Sequence, residues 1–152
     1  MRRPHVDIGR TSVLAIAVAG AMAGGPRTGR TDPPTTRFDG NWTVTLACNR
    51  TIDGGLPYSY RFPAEVKGGA IHGEHGVAGQ PAYLVIDGRI GADGEATMLA
   101  DGLTNAPNYT LGRVPPGQPY TYRIKAHFGD THGSGTRLSG GGRSCTLDFV
   151  KR

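Results

Sequence analysis

Glycine punctuates this chain at short, near-regular intervals. Asp53-Gly54-Gly55, Lys67-Gly68-Gly69, Asp87-Gly88, Asp93-Gly94, Asp101-Gly102, Pro116-Gly117 and Gly140-Gly141-Gly142 mostly read as turns. Glycine and Asp-Gly supply the positive φ that tight hairpins need. The stretches between them alternate apolar and polar residues with a period of two. After residue 38 nothing sustains a helical period. The chain therefore reads as all-β.

The alternation assigns faces. Trp42, Val44, Leu46 and Cys48 point one way, against Thr43, Thr45 and Ala47. Tyr58, Tyr60 and Phe62 oppose Ser59 and Arg61, and Leu84, Ile86 and Ile90 oppose Tyr83, Asp87 and Arg89. Tyr120, Tyr122, Ile124, Ala126 and Phe128 oppose Thr121, Arg123, Lys125 and His127. Cys145, Leu147 and Phe149 oppose Thr146 and Asp148. One apolar and one polar face per strand marks antiparallel strands around a single core.

Cys48 and Cys145 are the two cysteines, both on inward faces, in the first and last strands. A disulfide between them fits an antiparallel pairing in which Leu46 meets Leu147 and Val44 meets Phe149. That pairing joins the ends of a single antiparallel meander and removes its open edges. Nine segments qualify as strands, near 41–48, 57–66, 69–75, 82–90, 95–101, 108–113, 119–128, 134–139 and 144–151. A barrel whose ends pair antiparallel needs an even number. The reading favoured is an eight-stranded up-and-down barrel in which one weak segment, such as 134–139, is only loop. A β-sandwich is the alternative.

The N-terminus bears on compartment. Met1-Arg2-Arg3 is basic, Val13 to Ala23 is apolar and uncharged, and Ala19, Ala21 and Ala23 offer A-x-A-like cleavage sites. This is the order of a secretory signal peptide, expected over 1–23. The apolar run is shorter than the ~20 residues that span a bilayer. Residues 24–37 hold no apolar side chain apart from prolines. They read as a disordered linker, because such a segment cannot offset its ordering entropy. The folded domain is expected over 38–152. Export to the periplasm or the medium also favours oxidation of the cysteine pair.

Removing Arg2, Arg3, Arg10 and Asp7 with the signal takes 17 basic and 12 acidic side chains to 14 and 11, or +3. The basic residues are scattered singly. Nucleic-acid binding calls for a clustered basic face, so no nucleic-acid partner is expected.

The segments F-D-G-x-W at 38–42, Y-S-Y-R-F-P-A-E-V at 58–66, I-D-G-R-I at 86–90 and C-T-L-D-F-V at 145–150 resemble a set of bacterial exported small β domains. Some of these stand alone behind a signal peptide and others are appended to larger signalling proteins. The resemblance implies an exported β domain and carries over no catalytic residue. The overall plan also resembles the lipocalin and avidin barrels, whose first strand often carries G-x-W, matched here by Gly40 and Trp42. No ligand residue transfers on that match.

Chemistry-bearing residues are sparse. His72-Gly73-Glu74-His75 places His72 and Glu74 on one face of a strand and His75 on the other. With His127 and His132 these could form a zinc site if the two clusters met in space. Ser134 and Ser139 read as members of glycine-rich turns, without the strand–elbow–helix setting of a G-x-S-x-G nucleophile. Paired carboxylates for glycoside chemistry are possible among Glu65, Glu74, Asp87 and Glu95, but any β domain carries four scattered acids. Trp42, Tyr58, Tyr60, Tyr120 and Tyr122 all fall on the inner face, where they either fill the core or line a pocket.

The expectation is therefore a binding module, with no cofactor and no catalysis, taking an unidentified small ligand in the barrel mouth. The alternative is a protein-interaction module, for example an inhibitor of an envelope hydrolase, acting through loops near 49–57, 76–81, 103–107 and 129–143. A metal-dependent enzyme using His72, Glu74, His127 and His132 is a third reading.

Overall fold

The structure, a computed structural model, describes residues 35–138 and 142–152. The segment expected as a signal peptide and nearly all of the expected linker lie outside the described residues, as does Ser139. No helix among the described residues is long and apolar enough to cross a membrane.

Eight antiparallel strands form one closed barrel in sequence order. They are β1 (Gly40–Cys48), β2 (Tyr58–Lys67), β3 (Ala70–His75), β4 (Leu84–Ile90), β5 (Glu95–Leu103), β6 (Pro119–Phe128), β7 (His132–Arg137) and β8 (Cys145–Lys151). The fold is thus the barrel and not the sandwich. Cys48 pairs with Cys145, Leu46 with Leu147 and Val44 with Phe149, and the two cysteines are disulfide-bonded. With β1 hydrogen-bonded to both β2 and β8, no sheet edge remains open.

The weak segment is a different one from that expected. Residues 132–137 are a strand, and 108–113 are two short 3-10 turns, Pro107–Tyr109 and Leu111–Arg113. Apolar alternation at Tyr109 and Leu111 imitates a strand. Pro107, however, begins the first turn, and Gly112 adopts φ 69°, a left-handed conformation that breaks extended backbone. The glycines of β7 have a packing cause. A Cβ on Gly135 would lie 2.8 Å from Ala126 Cβ and 3.1 Å from the Lys125 carbonyl oxygen on β6. A glycine there lets β7 approach its neighbour closely. Ser134, expected in a turn, lies on β7 opposite His127.

The two ends of the barrel differ. Loops 49–57, 76–83 and 104–118 emerge at one end together with residues 138 and 142–144, and the tight turns 68–69, 91–94 and 129–131 lie at the other. The tight-turn end is plugged with aromatics. Phe38, Trp42 and Phe149 are fully buried and Phe128 nearly so. Ring centroids lie 5.3 Å apart for Trp42–Phe128, 6.2 Å for Phe38–Phe128 and 4.7 Å for Phe128–Phe149. The Trp42 indole N–H donates to the Phe38 carbonyl oxygen at 2.9 Å, which satisfies its buried polar atom. Leu46, Phe62, Ile86, Met98 and Ile124 continue the core along the barrel.

Candidate functional site: the loop-bearing end of the barrel

At the end that carries the long loops the interior opens into a cleft of ≈ 250 Å³. Its floor and walls include Tyr58, Tyr60 and Tyr120, which are half-buried, with Leu111 and Val114 from the β5–β6 loop. The same parity that buries Phe62 and Ile124 turns these tyrosines inward. They fall at the mouth because Tyr58 and Tyr60 begin β2 and Tyr120 sits near the start of β6. Tyr58 and Tyr60 rings lie 4.9 Å apart. Tyr120 and Tyr122 stack in parallel at 6.0 Å. His75 stacks on Tyr60 at 3.9 Å and hydrogen-bonds through Nδ1 with the Ala82 carbonyl oxygen.

Two guanidiniums join the aromatics. Arg137 ends β7 and lies 4.4 Å from the Tyr122 ring centroid, and Arg143, from the β7–β8 loop, lies 4.9 Å from that of Tyr58. Both line the cleft. Cations over aromatic faces are attracted by the ring quadrupole. Arg143 also fastens the rim. It donates to the carbonyl oxygens of Asn49 at 2.6 Å, Leu56 at 3.1 and 3.2 Å, and Tyr109 at 2.7 Å. Two other loops, 49–57 and 104–118, are thereby tied to the one that carries Arg143. The tie is reinforced where Leu56 N–H donates to Asn108 O at 2.7 Å and Gly112 N–H donates to the Asp53 carboxylate at 2.7 Å. The Thr51 hydroxyl donates to the other Asp53 oxygen.

Ionisation at the mouth follows from burial and charge. Burial pushes the hydroxyls of Tyr58, Tyr60, Tyr120 and Tyr122 above their ordinary value, so all four are neutral phenols at neutral pH. Arg143 is shifted down, first by burial, and Arg137's charge adds to the shift. Hydrogen bonds from Thr51 and Gly112 hold the Asp53 carboxyl below its usual range.

The expected residues divide. Tyr58, Tyr60 and Tyr120 come together in the cleft wall. Tyr122 lies just beneath, buried, with no hydrogen-bond partner for its hydroxyl among the described residues. Trp42 belongs to the plugged end and is no part of the cleft. Sequence reasoning missed Arg137, Arg143 and Asn105, which contribute to the site from a strand end and two loops.

His72, His127 and His132 lie on the outer surface in two separate clusters. His72 on β3 hydrogen-bonds with Asp87 at 2.7 Å and lies 3.3 Å from Glu74. His127 on β6 hydrogen-bonds with Glu95 at 3.0 Å, and His132 begins β7. Strands β4 and β5 separate the two clusters, a distance of about three strand spacings, or ~14 Å. No group of three or more His, Cys, Asp or Glu among the described residues is arranged to hold a metal ion. Glu95, His127, Ser134 and Asp148 do form a row across β5 to β8. The hydrogen bond in that row is His127–Glu95, and Ser134 has none with His127.

The chain matches no protein-family model, no curated protein and no solved structure.

Proposed function

We propose that this domain is an exported binding module that holds a small ligand in the cleft between its long loops. One observation carries the reading. A barrel packed with Phe38, Trp42, Phe128 and Phe149 at one end opens at the other into a cleft walled by tyrosines and two arginines. Ligand sites are typically concave and apolar with a few placed polar groups, and this cleft has that character. Its ≈ 250 Å³ falls just below the usual range of ligand-pocket volumes, roughly 300–1,000 Å³, so the ligand is small. The walls are preorganised. Arg143 holds the rim, and Thr104 anchors the β5–β6 loop by accepting from Gln118 N–H and donating to Pro115 O. Preorganisation lowers the ordering cost of binding.

The test is protein-observed NMR against a library of small fragments of mixed charge. The reading requires hits that shift resonances of Tyr58, Tyr60 and Tyr120 together. Hits confined to other surfaces, or none at millimolar concentration, would end it.

A second reading, a protein-interaction module such as an inhibitor of an envelope hydrolase, is favoured by Ile52. This side chain is 87% exposed at the rim, unusual for a large aliphatic residue. Under that reading Ile52→Asp abolishes inhibition of the target hydrolase and leaves small-fragment binding intact.

A further inference from the structure

We infer that the cleft selects a small amphipathic anion, a carboxylic acid with one ring or a short apolar chain, its charge placed between Arg137 and Arg143 and its body against the tyrosines. This rests on the small-ligand reading above and adds the ligand's charge and shape.

Charge is the first ground. The described lining contains two guanidiniums and no carboxylate. Arg143's hydrogen bonds go to carbonyl oxygens, which take up its donors without cancelling its charge. The Asp53 carboxylate acts on Arg143 from the neighbouring loop, outside the lining, and is itself held by Thr51 and Gly112. Two cations sharing a half-enclosed space disfavour each other, and an anion between them relieves that repulsion. A cationic ligand would add to it.

The second ground lies beneath the cleft floor. Tyr122's ring lies under the Arg137 guanidinium, and its buried hydroxyl makes no hydrogen bond among the described residues. An unpartnered buried donor is costly, and an acceptor reaching it recovers that cost. The phenols of Tyr120 and Tyr122 stay protonated at neutral pH; Tyr120 lines the cleft and can donate directly, with Tyr122 buried beside it. A carboxylate accepts at both oxygens and fits a guanidinium beside a phenol.

Shape is the third. The remaining wall is aromatic face and aliphatic side chain, from Tyr58, Tyr60, Leu111 and Val114. The small volume limits the occupant to about one ring or a short chain.

The experiment is calorimetric titration of the oxidised protein with three near-isosteric probes, 3-phenylpropanoate, 3-phenylpropanamide and 3-phenylpropylamine. The acid is expected to bind at least about tenfold tighter than the amide, with the amine weakest. Raising salt from about 0.05 to 0.5 M should narrow the acid's advantage. Arg137→Gln should bring the acid down to the amide's affinity. Arg137→Lys should retain part of the preference. The inference is overturned if the amide binds as tightly as the acid, if the amine binds best, or if Arg137→Gln leaves the preference intact. Failure of all three probes at millimolar concentration removes the small-ligand reading, and the charge inference with it.

Discussion

Cys48 and Cys145 face each other in the ladder between the last residue of β1 and the first of β8, so their disulfide lies at the base of the loops that form the mouth. Asn49 N–H donates to Ser144 O at 2.9 Å immediately beyond it. The bond therefore closes the barrel and also fixes the root of the loop that carries Arg143.

Because the cysteines are 97 residues apart, the bond constrains most of the unfolded domain. The chain-entropy model puts a loop of that length at roughly 4–5 kcal/mol, an upper figure for real proteins. Cys48→Ser with Cys145→Ser is expected to lower stability by up to about that amount in urea unfolding. A midpoint unmoved by the double substitution would contradict the assigned role.

Arg143 makes a more local prediction. Its guanidinium serves carbonyls in two other loops, and bonds to charged groups contribute about 1.5–3 kcal/mol each. Arg143→Met leaves those carbonyls to water at the rim, so the global loss is expected to be smaller, about 2 kcal/mol. Amide exchange at Leu56 and Gly112 should accelerate, since their N–H groups bond within the same clasp. Exchange in β5 and β6 should not change. Uniform acceleration throughout the barrel would show that Arg143 is not confined to the rim.

Acid should open the same clasp. Asp53's folded-state pKa lies below its ordinary value of 3.8 because Thr51 and Gly112 donate to the charged form. A carboxyl depressed in this way contributes stability that is fully present above the unfolded value and is lost as pH falls through the folded one. Gly112 amide exchange, corrected for its intrinsic pH dependence, should therefore gain protection loss only below about pH 4. Asp53→Asn should show that loss already at neutral pH. His72 works in the opposite window. Hydrogen bonding to Asp87 raises its pKa above 6.5, so its contribution is present at lower pH and fades as pH rises through the folded value.

Much of the barrel was legible because period-two alternation fixes which side chains face inward, and two inward cysteines in the end strands fix one register. The pairings Leu46–Leu147 and Val44–Phe149 follow from those facts alone. Alternation is blind where glycine replaces side chains for packing. Gly133 and Gly135 made β7 look like loop, although Gly135 is there to admit Ala126. It also misleads where a loop happens to alternate, as at Tyr109 and Leu111. The site was half legible. Parity placed the tyrosines inside but gave no reason to suspect Arg143, whose role depends on carbonyls remote in sequence. One available signal went unused. In an antiparallel meander the end of β1 lies beside the start of β2, so Tyr58 pairs with Cys48 and stands far from Trp42. Six residues at ~3.3 Å each put Trp42 about 20 Å down the strand.

That separation gives the last prediction. Trp42 is the single tryptophan, so its emission reports on the plugged end alone. Phe38 covers that end, fully buried and in edge contact with Phe128. Phe38→Ala removes a buried ring, which typically costs about 3–5 kcal/mol. The Trp42 N–H bond to residue 38 is to the backbone and survives, so the indole stays in place while water gains access to it. A red-shifted emission maximum with lower stability is expected, and ligand affinity at the mouth should be little changed in whatever fraction remains folded. Tyr120→Ala should do the reverse, weakening ligand binding while leaving the emission maximum where it is, since Tyr120 lies in the cleft wall. If ligand at the mouth shifted Trp42 emission as strongly as Phe38→Ala does, the two ends would be coupled through the core. The plugged end would then be part of the binding site and not merely its support.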